Sequence, residues 1–218
     1  MRMQILALAD IHDKLSALTA ILEEAADKVD LILVSGDLTQ YGPMDRVREV
    51  LAKLEGTGRP FFYVLGNCDP REALDGVDGY EDRYLHLREV QFRGFTLTGF
   101  GGSTITPFNT PIEWSEEQIE EALRALHLSS ERSILLTHEP PADTELDFTK
   151  LGMHVGSRSL RRFVEEKQPV LHLCGHIHEA RGKDQIGKTV VVNPGPVMRG
   201  YYAVIEVGEK VGVSFERI

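Results

Sequence analysis

Short runs of consecutive apolar residues alternate along this chain with stretches in which apolar residues recur every three or four positions. Residues 5–9 form the first run. Leu15, Leu18, Ile21 and Leu22 then follow at helical spacing, and a second run covers residues 31–34. Val47, Val50, Leu51 and Leu54 make another helical face that ends at Gly56, and a third run occupies residues 61–65. Strand, helix, strand, helix, strand is the order of parallel βαβ units.

The middle of the chain changes character. Residues 90–92 and 95–100 flank Arg93 and Gly94 and predict a hairpin, while Gly101, Gly102 and residues 107–111 read as loop. Ser115 and Gln118 form a capping box for a helix carrying Ile119, Ala122, Leu123 and Leu126. A strand is expected at 134–136, a long loop at 139–156, a helix at 157–166 and a strand at 170–173. Loops of that length in compact domains are often functional. The tail predicts β-structure at 189–192, 201–207 and 211–215, with the last turn at 208–210. No repeat, low-complexity segment or clear linker interrupts the pattern. The expectation is one α/β domain over residues 1–218 with a mixed, partly antiparallel second half.

Composition narrows the function. Lys and Arg number 24 against 34 Asp and Glu, a formal charge of −10. An acidic chain is a poor non-specific binder of nucleic acid or anionic membrane. Two cysteines, Cys68 and Cys174, are too few for a disulfide scaffold and fit a reducing compartment. The first ten residues lack the pattern of a signal peptide, and no run of about 18 apolar residues exists to span a membrane. A soluble, cytoplasmic protein is expected.

The chemistry sits where the strands end. Five apolar runs each finish in a polar residue able to bind metal: Asp10 with His12, Asp37, Asn67, His138, and His176 with His178. In α/β sheets ligands bind outside the carboxyl ends of strands, so these seven residues are expected to converge. Asp10 and His12 are two apart, as are His176 and His178, and in extended chain such pairs share a side. Gly36, Gly66 and Gly175 precede ligand candidates, where close backbone approach favours glycine. Four imidazoles, two carboxylates and one amide suit manganese first, with iron, nickel, cobalt and zinc as the other candidates. Seven ligands exceed one tetrahedral ion, whereas one bridging carboxylate lets them serve two ions, the arrangement that clamps both oxygens in phosphoryl chemistry.

The ordered blocks Asp10-Ile11-His12, Gly36-Asp37, Gly66-Asn67-Cys68-Asp69, Thr137-His138 and Gly175-His176-Ile177-His178 resemble the calcineurin-like metallophosphoesterase family, and within it the small prokaryotic phosphodiesterase-like branch. The resemblance runs from residue 10 to the loop at 193–195. It implies a four-layer sandwich of two mixed β-sheets flanked by helices. It also implies two divalent ions: one held by Asp10, His12 and His178, the other by Asn67, His138 and His176, with Asp37 bridging. By the same resemblance a hydroxide between the ions attacks phosphorus in line, and Asn67 also offers its amide to a phosphate oxygen.

The chain departs from the family at Cys68, where many members carry a His that binds phosphate and protonates the leaving oxygen. A thiol is a weak donor. The Cys variant resembles members that are phosphodiesterases, which leaves the general acid open, with His154 in the loop 152–157 as the candidate. Asp69 is expected either to orient a neighbouring ligand or to bind the loop backbone. His172 is expected to pack inside its strand, His86 and His127 to lie at the surface, and Glu116, Glu117, Glu120 and Glu121 to form a solvated helix face. The function expected is a metal-dependent phosphodiesterase acting on a small-molecule phosphoester, with nucleotides among the candidates. The alternatives are a phosphomonoesterase of the same fold and a non-catalytic protein-binding scaffold.

Overall fold

The structure is a computed structural model that describes residues 2–126, 128 and 132–218. The first half follows the predicted order: β1 (Met3–Leu8), α1 (Leu15–Ala25), β2 (Leu31–Ser35), α2 (Met44–Glu55) and β3 (Phe61–Val64). The hairpin is β4 (Glu89–Phe92) and β5 (Phe95–Phe100), followed by the short pair β6 (Ser103–Thr104) and β7 (Glu113–Trp114). Then come α3 (Glu116–Arg124), β8 (Ser133–Thr137), α4 (Arg158–Lys167) and β9 (Leu171–Leu173). The tail adds β10 (Gly182–Ile186), β11 (Thr189–Asn193), β12 (Tyr201–Val207) and β13 (Val211–Arg217).

Two large sheets result. One runs β13-β12-β1-β2-β3 and the other β10-β11-β9-β8-β5-β4. The centres are parallel, β1 with β2 and β3 in the first sheet, and β5 with β8, β9 and β11 in the second. Antiparallel strands lie at the margins, where tight turns can return the chain.

Period-two alternation within the apolar runs explains the layering. In β1, Ile5 and Ala7 face the second sheet while Leu6 and Leu8 face α1 and α2. In β8, Ile134 and Leu136 turn inward and Leu135 outward to Ile119, Leu160 and Val164 of α3 and α4. Strands buried on both faces read as continuous apolar runs, which is why they stand out in the sequence. The architecture is therefore helices, sheet, sheet, helices, the expected four layers.

Three details differ from the expectation. Strand β10 is missed because its sequence, GKDQI, is polar; it is an edge strand whose side chains alternate toward solvent. Glu116 is not a solvated helix residue: its carboxylate accepts hydrogen bonds from the Ser157 hydroxyl and from the backbone N–H groups of Arg158 and Ser159. It thereby serves the orphan donors at the start of α4. His86 is not a surface residue either. Its ring stacks between Tyr84 and Phe100, and its Nδ1 accepts from the Gly101 N–H. His127 lies outside the described residues. The capping box at Ser115 and Gln118 is present as expected. No helix among the described residues is long and apolar enough to cross a membrane.

Candidate metal centre

The parallel strands of both sheets point their carboxyl ends the same way, and the seven ligand candidates follow β1, β2, β3, β8 and β9. How the pairs at 10/12 and 176/178 converge differs from expectation. The chain is not extended there. Asp10, His12 and His176 have φ of 53°, 47° and 67°, and Asp37 has φ of 49°. This is left-handed backbone, which costs roughly 1–2 kcal/mol per non-glycine residue and which Asp and His tolerate better than most. Tertiary hydrogen bonds hold it: Asp10 N–H to Gly36 O at 3.1 Å and His12 N–H to Asp37 O at 3.0 Å. The β1 and β2 turns are thus laced together, and a cluster of strained backbone marks the site.

Asp37 is central and buried. Its Oδ1 accepts the Cys68 N–H at 2.8 Å, which leaves Oδ2 3.5 Å from His12 Nε2 and 3.5 Å from His138 Nε2. On one side stand Asp10, His12 and His178. His12 Nε2 is 3.1 Å from His178 Nε2, and Asp10 Oδ1 is 3.4 Å from the same His178 nitrogen. Asp10 Oδ2 is buried with no hydrogen-bond partner. On the other side, Asn67 Oδ1 lies 2.8 Å from His138 Nε2, and the His176 ring meets the His138 ring edge-on at 5.0 Å. The His176 N–H donates to Asp10 Oδ1 at 3.2 Å, joining the two groups.

The donor set fits divalent metal on a test of proton polarity. His138 Nδ1 lies 2.8 Å from the Ser35 carbonyl oxygen, which can only accept, so Nδ1 carries the proton. Burial holds His138 below the ordinary imidazole value, so Nε2 is a bare lone pair. With the Asn67 amide oxygen turned toward it at 2.8 Å, that lone pair and the oxygen are two facing acceptors, an arrangement that a cation between or beside them would satisfy. Burial also keeps His12 low and takes His176 down to about 3, so both offer neutral nitrogens. Burial pushes the Asp37 carboxyl up to about 6, the state of a buried acid lacking a compensating charge.

Two predicted site residues stand outside this convergence. Asp69 binds loop backbone, the second of its expected roles. It accepts from the N–H groups of Leu38, Thr39 and Gly66, tying the β2 and β3 turns. His154 donates toward Asp147 Oδ1 at 2.7 Å and packs its ring on Phe148. Its loop reaches the centre through the Lys150 N–H, which bonds the carboxylate of Glu179, the neighbour of His178. His172 is buried, with Nε2 2.8 Å from the Thr137 hydroxyl, in keeping with a packing role. Cys68 is buried and free of any disulfide, and burial pushes its thiol up.

Sequence reasoning missed Ser35, whose carbonyl fixes the His138 tautomer, because a backbone acceptor leaves no residue-type signal. It also missed Glu139, buried beside His138, which binds the Thr104 N–H and hydroxyl and so fastens the 103–114 loop to the end of β8. Burial pushes Glu139 up to about 8. A glutamate following a ligand histidine at a buried strand end is the signal that could have found it.

Residues 3–180 match the family described as calcineurin-like phosphoesterase. The chain is 36% identical over 198 residues, 89% of its length and 88% of its relative's, to the uncharacterized protein MJ1162 of Methanocaldococcus jannaschii. It is 24% identical over 176 residues, 78% of its length, to 64% of a probable glycerophosphodiester phosphodiesterase, GpdQ, of Arcobacter nitrofigilis. Among solved structures, the protein TT1561 of Thermus thermophilus shares the fold with a TM-score of 0.78 at 21% identity, over 100% of this chain and 99% of that one.

Proposed function

Because the chain belongs to the calcineurin-like phosphoesterase family, we propose that it is a phosphodiesterase dependent on two divalent ions. The observation that carries this reading is the position of Asp37 Oδ2, 3.5 Å from both His12 Nε2 and His138 Nε2, between two sets of converging acceptors. Asp10, His12 and His178 would hold one ion, and Asn67, His138 and His176 the other. Two bound ions supply a low-pKa water and neutralise charge on the phosphoryl oxygens. Manganese is the first candidate for this oxygen and nitrogen set, with iron, nickel, cobalt and zinc next.

The chain's own residues set the geometry and the proton inventory. Ser35, Asp69 and the lacing of the β1 and β2 turns hold the acceptors before substrate arrives, which is where electrostatic catalysis gains most. One Asn67 amide hydrogen goes to Thr110 at 3.0 Å, and the amide nitrogen is 3.7 Å from Cys68 Sγ. Cys68, held as a thiol by burial, is a weak donor to a leaving oxygen. A diester with one good leaving group needs that donor least, and the 24% identical relative carrying a glycerophosphodiester phosphodiesterase name supports the same substrate class.

Metal-stripped protein is expected to hydrolyse bis(p-nitrophenyl) phosphate when manganese is restored, and to do so faster than p-nitrophenyl phosphate. A reversed preference would move the reading to a phosphomonoesterase. Folded protein that turns over neither substrate with manganese, nickel, cobalt, iron or zinc would move it to a protein-binding scaffold.

In this reading His154 supplies the leaving-group proton. Its hydrogen bond to Asp147 raises its pKa and keeps a proton available on the ring. His154→Ala is expected to slow diesters with alkoxide leaving groups about 10²-fold or more while sparing p-nitrophenolate esters. Equal losses on both would remove His154 from the mechanism.

A further inference from the structure

The Asn67 amide can sit either way round, and only one orientation leaves an oxygen for an ion. With Oδ1 toward His138, two lone pairs converge. With the NH₂ toward His138, it would donate to His138 Nε2, and the two groups would satisfy each other with no metal. The second orientation is the natural one for an isolated amide–imidazole pair, because a hydrogen bond replaces an acceptor–acceptor contact. Something else must enforce the first.

Thr110, on the loop that covers Asn67, and Glu113, where that loop enters β7, have the required polarity. The Glu113 Oε1 carboxylate oxygen is 2.5 Å from the Thr110 hydroxyl, 2.8 Å from the Thr110 N–H and 2.6 Å from the Thr106 hydroxyl. Burial raises the Glu113 pKa, but the hydrogen bonds from Thr106 and Thr110 outweigh it and leave the group below its ordinary value, a carboxylate. A carboxylate only accepts, so the Thr110 hydroxyl proton is committed to it. The Thr110 oxygen can then only accept, and the group it faces at 3.0 Å is the Asn67 amide. Thr110 and Asn67 are both buried, so no water can substitute freely. The Ile112 N–H donates to the Asn67 carbonyl at 3.2 Å and holds the loop against this turn.

We infer that Thr110, its hydroxyl polarised by Glu113, is a positioning residue that locks the Asn67 amide with its oxygen toward the metal centre and forbids the self-satisfied flip onto His138. Flipping the amide would set two acceptors 3.0 Å apart at Thr110, a buried polar penalty on both atoms. The inference rests on the two-ion reading of the centre. It adds that the competence of one ion site is decided from a loop that supplies no ligand.

The experiment is calorimetric titration of metal-stripped, full-length protein with manganese chloride, with thermal unfolding recorded for each variant. The wild type is expected to take up two ions. Thr110→Val keeps the shape but cannot accept from the amide, and should weaken one of the two sites by about 10- to 100-fold. Thr110→Ser restores the hydroxyl and should restore the affinity. Asn67→Asp presents oxygen in either orientation, so adding Thr110→Val in that background should cost nothing. Wild-type affinity in Thr110→Val overturns the inference, as does an equal loss with asparagine and with aspartate at position 67. Wild-type protein that binds no ion overturns the reading of the centre itself and the inference with it.

Discussion

Hydrolysis of bis(p-nitrophenyl) phosphate is expected to fall at least about 10³-fold in Asp37→Asn, equivalent to roughly 4 kcal/mol in the barrier. Asp37 is the group that faces both acceptor sets, with Oδ2 3.5 Å from an imidazole of each. The amide keeps the volume and can keep the bond from the Cys68 N–H through its oxygen. What it loses is the negative charge facing both acceptor sets and the carboxylate oxygen, Oδ2, that the two sets share. Asp37→Ala should lose as much and add a cavity. The measurement is the steady-state rate with saturating manganese, beside thermal unfolding to show that each variant is folded. A folded Asp37→Asn within about tenfold of wild type would mean that this carboxylate does not link two ions.

The second large effect is on stability. A Cβ at Gly66 would lie 2.0 Å from Asp37 Oδ1 and 2.2 Å from the Asp37 backbone nitrogen. No rotamer change relieves a clash with backbone, so the β2 and β3 turns would have to separate. They are fastened by Asp69, which accepts from Gly66, Leu38 and Thr39 together. Gly66→Ala is expected to cost about 3 kcal/mol, the upper end for forced overpacking. That corresponds to a Tm lower by roughly 6–12 °C for a chain of this size. Manganese affinity should fall with it, since Asp37 cannot keep its place. Gly58→Ala makes the comparison. A Cβ there meets nothing within 4 Å, and its φ of +68° costs only about 1–2 kcal/mol for left-handed backbone. Equal Tm losses in the two variants would show that close approach at Gly66 is not what that glycine is for.

Most of the fold was legible because its strands are buried on both faces. Residues 5–9, 31–34, 61–65 and 134–136 read as uninterrupted apolar runs, and the helices between them show one apolar face each. Strand β10 escaped for the converse reason: an edge strand with polar side chains on its open face carries no such run. The seven ligand candidates were also legible. Each follows an apolar run, and parallel strands carry whatever follows them to one edge.

What the sequence determined by itself is which groups arrive at that edge: their order, their chemical type and the glycines that let two turns approach. Those depend on local pattern and on the periods of strand and helix, which are written residue by residue. Only the tertiary structure decided how the groups face one another. The left-handed turns at Asp10, His12 and His176, the proton on His138 Nδ1 held by the Ser35 carbonyl, and the loop backbone gathered by Asp69 all depend on partners far along the chain, as distant as the 166 positions between Asp10 and His176. Hydrogen-bond polarity and backbone strain are properties of such pairs, and no single residue type encodes them.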